Sequence, residues 1–251
     1  MSKPKRKNKY LKKIIVLILS LAFIVSLGYV AFNLPRNAKV ELESGVIGPT
    51  VLTDEELIPE YFGQDYIVLN DNIPNFTTED IQNISGENYS ELDSLGRCGM
   101  AYALLDRTMM PTDKRGDISQ IKPSGYKQAK YEGIINFDPP YLYNRSHLIA
   151  YALTGQNANE KNLITGTHHM NSESMLQWEN QVIRLLYDSD IHVLYRVTPY
   201  FKGKELVARG VEIEAYSKED QGRSICFHVF VYNVEPGIEI DYKTGESKTA
   251  D

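Results

Sequence analysis

The chain has 251 residues, 42% of them hydrophobic and 24% charged, with a net charge of −6. That composition excludes collagenous, mucin-like and wholly disordered chains and allows one domain with a full core. Removing the seven cations of residues 3–13 from the 27 leaves 20 basic against 33 acidic side chains, a net near −13. This excludes a broad electrostatic grip on a polyanion, so any positive surface for one must be local.

The chain opens with Lys3, Lys5, Arg6, Lys7, Lys9, Lys12 and Lys13, followed by Ile14 to Phe32, 19 uncharged and strongly apolar residues. As a helix that stretch nearly matches a hydrocarbon core, and the basic flank stays cytoplasmic by the positive-inside rule. The expected layout is a cytoplasmic segment at 1–13, a transmembrane anchor at 14–32, a tether at 33–60 and an extracellular domain at 61–251. A cleaved signal peptide, with Ser26-Leu27-Gly28 as a weak cleavage site, is the alternative and would make the domain secreted. Cys98 and Cys226 permit one disulfide, or are read equally well as small buried hydrophobes.

Within the domain, Tyr66 to Leu69 is the first expected element. Thr78-Glu79-Asp80 reads as a helix start capped by Thr77 or Thr78. Ser94 to Leu105 is an apolar helix or strand. Residues 106–130 form a long connection with six cations, Arg107, Lys114, Arg115, Lys122, Lys127 and Lys130, against three acids. Most of its lysines read as a solvated loop. His192–Thr198, Leu206–Ala215 and Ser224–Val234 have strand composition and partial alternation, with Lys202-Gly203-Lys204 as a turn, so three consecutive antiparallel strands are expected. The fold class is α+β with a central antiparallel sheet.

The chemistry lies between these regions. Residues 141–148 (YLYNRSHL) suggest a strand delivering Arg145 and His147. Thr165 or Thr167 could cap the next helix, His168 to Tyr187, whose core side would be Met170, Leu176, Val182, Leu185 and Leu186. Asn171 and Glu179 are eight residues apart, so both can look toward one cleft. A strand histidine facing a helical asparagine outlines a one-metal phosphodiesterase. His147, with an imidazole pKa near about 6.5, would take the proton of the attacking water, so activity should rise with pH through that range. Mg²⁺, or Mn²⁺ in its place, would be held by Asn171, because a hard hydrated cation can accept a single amide oxygen from protein. Glu179 would orient metal-bound waters and Arg145 would contact phosphate. His168 and His169 are adjacent and point roughly 100° apart on a helix, a poor zinc pair. His192 and His228 read as packing or surface residues, and Trp178 as core rather than a base-stacking platform.

The run YNRSHLIAYALTGQNANEKNLITGTHHMNSESMLQWENQV resembles the DNA/RNA non-specific endonucleases with a ββα-metal (His-Me finger) core. It is most similar to the DNA-entry nucleases and streptodornases of Gram-positive bacteria. The likeness extends from LDSLGR through MPTDKRGDIS and IKPSGY to VFVYNVEPGIEIDYKTG. It implies a metal-dependent endonuclease of little sequence specificity, with DNA and also RNA as substrates. It carries the general base over to His147, the metal ligand to Asn171 and the helical acid to Glu179. Arg115 is the candidate for the family's upstream phosphate-binding arginine, and Lys122 is a further candidate substrate contact. The membrane is a partner through the N-terminal helix, while inhibitor or DNA-uptake proteins are not readable from the residues. Two departures stand out. Asn144-Arg145-Ser146-His147 replaces the common Asp-Arg-Gly-His, and Glu173 adds an acid beside the metal ligand. The alternative function is a surface module that binds nucleic acid with weak turnover.

Overall fold

Alternation of apolar and polar side chains builds the central sheet of the computed structural model, which describes residues 58–250. The expected anchor at 14–32, its basic flank and the tether up to residue 57 lie outside the described residues. Among the described residues no helix is long and apolar enough to cross a membrane.

The strands are β1 (Tyr66–Val68), β2 (Glu87–Tyr89), β3 (Ala101–Leu105), β4 (Tyr143–His147), β5 (Leu163–Thr167), β6 (Val193–Tyr200), β7 (Gly210–Ser217), β8 (Cys226–Tyr232), β9 (Ile238–Asp241) and β10 (Glu246–Thr249). The α-helices are α1 (Thr78–Asn83), α2 (Tyr151–Thr154) and α3 (Leu176–Asp188). Six strands form one antiparallel sheet in the order β1-β8-β7-β6-β3-β2, while β4-β5 and β9-β10 form separate pairs. The α+β class and the three consecutive antiparallel strands β6, β7 and β8 are as expected. The second begins at Gly210 rather than Leu206, because the amides of Leu206 and Val207 both donate to the Tyr242 carbonyl instead.

The period of two sorts each strand onto two faces. Val197, Ile213 and Val229 lie in register across β6, β7 and β8 on the front face. There they meet Met170, Met175, Trp178, Val182 and Leu186 in the main core. Burying each such side chain contributes about 1.5–3 kcal/mol over leaving it in water. Trp178 packs edge-on against Tyr66 at 5.0 Å and tilted against Phe227 at 4.9 Å, in keeping with a core role.

Residues 58–80 strap the back face. Ile58, Ile67 and Leu69 cover Tyr200, Phe230 and Tyr232. Glu214 accepts from the Asn75 amide at 2.6 Å and from Arg196 Nε at 2.6 Å, and Arg196 lies over Phe76 at 4.7 Å. His228 faces the Ile73 carbonyl with Nδ1 (3.1 Å) and Glu212 with Nε2. Burial opposes charge on this ring, but the hydrogen bond to Glu212 and the field of Glu214 outweigh it and raise the pKa. Helix α1 starts with a reciprocal cap: Thr77 Oγ1 accepts from the Asp80 amide and Asp80 accepts from the Thr77 amide.

Ser94–Leu105, open between helix and strand in the sequence, contains β3, whose alternate residues are buried where it pairs with β6. Cys98 and Cys226 are both free. Cys98 is buried against the carbonyls of Glu160 and Leu163, and burial pushes its thiol up to about 12, whereas Cys226 is exposed.

Candidate active site

The hairpin β4-β5 carries the site. Its strands pair antiparallel from Tyr143↔Thr167 to His147↔Leu163. Sequence reasoning delivered β4 but read Asn162–Thr167 as the approach to a helix. All five residues of β5 are buried, so the segment shows no alternation. Thr167 does cap the next helical turn: its hydroxyl accepts from the Met170 amide at 3.0 Å. Thr165 instead donates to the Ser124 carbonyl at 2.8 Å.

The helix expected from His168 onward begins with a π turn over Met170–Ser174, closed by the Met175 amide on the Met170 carbonyl at 2.9 Å, before α3 continues. The extra residue in this turn shifts the helical phase. Met175 is therefore buried, and Leu176, expected in the core, is 38% exposed. The spacing of Asn171 from Glu179 spans this wide turn and is not regular α geometry.

Asn171 is tied to the hairpin. Ser146 Oγ donates to its Oδ1 at 2.8 Å. The approach needs a glycine opposite, since a Cβ at Gly166 would stand 2.6 Å from Ser146 Cβ. His147 is buried, and its Nε2 lies 3.0 Å from the Asn157 carbonyl. A carbonyl only accepts, so Nε2 carries the hydrogen and Nδ1 keeps the lone pair. Arg115 Nη2 donates to that Nδ1 at 3.2 Å. Burial lowers the His147 pKa to about 4, the Arg115 charge adds to the drop, and the Asn157 carbonyl opposes it. Glu179 is also buried; desolvation pushes it up to about 8 while Arg115 pulls it down. Burial lowers the pKa of Arg115 itself, against the opposing field of Glu179. One guanidinium thus acts electrostatically on both the imidazole and the buried acid.

Beside this group opens a cleft of about 490 Å³, lined among others by Arg115, Asn144, Arg145, His168 and Asn171. The cationic patch that the acidic composition required is here. Arg145 lines the cleft, but much of its guanidinium is committed: Nε and Nη2 donate to the carbonyls of Ile121 and Ser119 at 2.5 Å each, and Nη1 to Tyr126 Oη at 3.1 Å. It holds the loop 119–126 against β4. Lys122 is exposed and lies outside the residues lining the cleft.

Asn157, Ser146 and Gly166 were missed by sequence reasoning. Ser146 and Gly166 lay inside noted segments with no signal of contact, and Asn157 acts through a main-chain oxygen, which no residue type announces. The lining suits a hard hydrated cation, since Asn144 and Asn171 offer neutral amide oxygens. Glu212, Glu214 and His228 also lie close enough to share an ion, but they sit on the back face of the sheet and already engage Arg196, Asn75 and Ile73. Of the two helical histidines, His169 bonds Asp65 at 2.8 Å and His168 stacks on Phe137 at 4.8 Å.

A family model described as DNA/RNA non-specific endonuclease matches residues 78–219. A deoxyribonuclease of Streptococcus dysgalactiae subsp. equisimilis is 26% identical over 208 residues, which cover 67% of this chain and 62% of that relative, less than two thirds of its length. NucA from Streptococcus agalactiae, solved with a magnesium ion bound, is 28% identical over 73% of this chain and 86% of its own, with a TM-score of 0.62. The same protein with no metal bound gives 0.61. The Sda1 nuclease with bound zinc ion is 28% identical over 66% of this chain and 83% of its own, with a TM-score of 0.56.

Proposed function

The chain belongs to the DNA/RNA non-specific endonuclease family, and we propose that it is a metal-dependent nuclease hydrolysing phosphodiester bonds of DNA, and of RNA, with little sequence preference. The observation that carries this reading is the state of His147. Its Nε2–H is fixed by the Asn157 carbonyl and its Nδ1 lone pair points at Arg115, at the wall of a cleft that also holds Asn171.

His147 is the general base. Nδ1 takes the proton of the attacking water, and the imidazolium so formed keeps its Nε2–H on Asn157. In the free protein Arg115 occupies that lone pair. A phosphodiester anion competes for the guanidinium, releasing Nδ1 to water while Arg115 holds a phosphate oxygen. Asn171, oriented by Ser146, would hold Mg²⁺, with Mn²⁺ as the substitute, and Glu179 would anchor its hydration from the buried side. Bound there, the ion neutralises charge gathering on the phosphoryl and leaving oxygens. NucA, solved with magnesium, supports that choice of cation. We further read residues 14–32 as an uncleaved anchor with the nuclease domain outside the cell, on the strength of the basic flank and the 19 apolar residues.

The test is cleavage of plasmid DNA by the full-length chain with Mg²⁺, with chelator, and with the His147→Ala variant. Metal-dependent degradation to short fragments, lost in the variant, is the expected result. Folded protein that cuts no DNA or RNA with any of several divalent metals would instead favour a surface module that binds nucleic acid without turnover.

A further inference from the structure

The mechanism leaves one wall of the cleft unexplained. Residues 131–141 form an irregular loop, yet they are firmly held. The Tyr131 amide donates to the Pro140 carbonyl at 3.0 Å and the Ile135 amide to the Tyr131 carbonyl at 3.1 Å. Ile135 is buried against Leu142, Tyr143 and Ile238 in a core of its own. From this anchored loop two aromatic rings stand out at the cleft. Phe137 is 59% exposed and Tyr141 39% exposed, and both line the cleft with Arg115, Arg145 and Asn171. Each ring is backed on one side: Phe137 by His168, with centroids 4.8 Å apart and planes at 32°, and Tyr141 by the Lys130 ammonium 5.0 Å from its centroid.

A backed, immobilised ring with an open side, set beside cations that suit phosphate, is what a flat heteroaromatic needs to stack. We propose that Phe137 and Tyr141 form a stacking subsite for nucleobases next to the scissile phosphate, occupied by unpaired bases of a single-stranded nucleic acid. Paired bases in a duplex already cover each other's faces, so the platform takes bases that are unstacked. Arg115, on the same cleft, can meet the adjoining backbone. This inference rests on the nuclease reading above.

Binding without cleavage separates the two. A single-stranded oligonucleotide carrying 2-aminopurine, titrated with the full-length chain in chelator, should be quenched as the probe stacks. Phe137→Ala should weaken its Kd about tenfold and remove most of the quench, Tyr141→Ala should act in the same direction, and Phe137→Trp should retain both signals. An oligonucleotide with abasic sites should bind the wild type about tenfold more weakly and the Phe137→Ala variant with little further loss. Circular dichroism checks that the exposed substitutions leave the fold intact. The subsite is overturned if Phe137→Ala binds the base-bearing strand within about twofold of wild type, if removing bases weakens both proteins equally, or if the wild type does not bind. Aromatic-dependent binding with no metal-dependent cleavage would leave the subsite standing and sink the nuclease reading. Cleavage with aromatic-independent binding would do the reverse.

Discussion

The two nitrogens of His147 are held by different partners, and that bears on its titration. A free imidazole titrates near about 6.5, and the sequence alone suggests an activity limb there. In the fold, burial and the Arg115 charge bring His147 to about 4. As the proposed base, His147 is then neutral above that value, and the activity that depends on it should be lost as pH falls through about 4. The expected profile of kcat/KM at saturating Mg²⁺ is flat with respect to this group from pH 5 to 8, with its limb near 4. Arg115→Ala removes a neighbouring cation, so the limb should move up toward the ordinary imidazole value, and loss of a phosphate contact should raise KM. A wild-type limb at 6.5 would show that the buried, arginine-facing Nδ1 is not the group that titrates. His147, Asn171 and Glu179 could be nominated from the sequence because each is a side chain with a chemical signature. The grip of Asn157 on His147 was not, because it is made by a main-chain carbonyl ten residues away.

At the level of elements, the hairpin and the π turn position Asn171 together. Gly166 is the point where they nearly touch, with a virtual Cβ 2.6 Å from Ser146 Cβ and 2.8 Å from Met170 Cε. Gly166→Ala should cost about 1–3 kcal/mol of stability through overpacking. Because Ser146 Oγ would be displaced from Asn171, it should also weaken activation by Mg²⁺ well beyond the stability loss. Thermal unfolding and a Mg²⁺ titration of cleavage check the two effects separately; an unchanged Mg²⁺ midpoint would detach Ser146 from the metal site proposed at Asn171. Elements with a local signal were readable: β6, β7 and β8 have strand composition and partial alternation, and α1 starts at a capping threonine. The short buried run of β5 was not. Nor was the π turn foreseeable from periodicity, since one added residue moves Leu176 outward and Met175 inward without changing composition.

Across the whole molecule the sheet divides the labour, with the candidate site carried on its front and a polar latch on its back. His228 has its folded pKa raised by Glu212 and Glu214, so its contribution to stability is complete below the unfolded value near about 6.5 and is lost as pH rises through the higher folded value. His228→Gln should therefore cost about 1–3 kcal/mol at pH 6, with a smaller difference from wild type at pH 9, as read by urea unfolding. An equal cost at both pH values would mean that the ring is held neutral. The strap that this latch fastens also touches the front. Tyr232 Oη donates to the Pro59 carbonyl, the Tyr232 amide to the Asp65 carbonyl, and the Asp65 carboxylate meets His169, two residues before Asn171. A mechanical load applied at residue 58 would be borne first by the Pro59 contact and next by Asp65, ahead of three-residue β1, an edge strand that peels one rung at a time. Through Asp65 and His169 it would reach the Asn171 end of the cleft before β1 gave way.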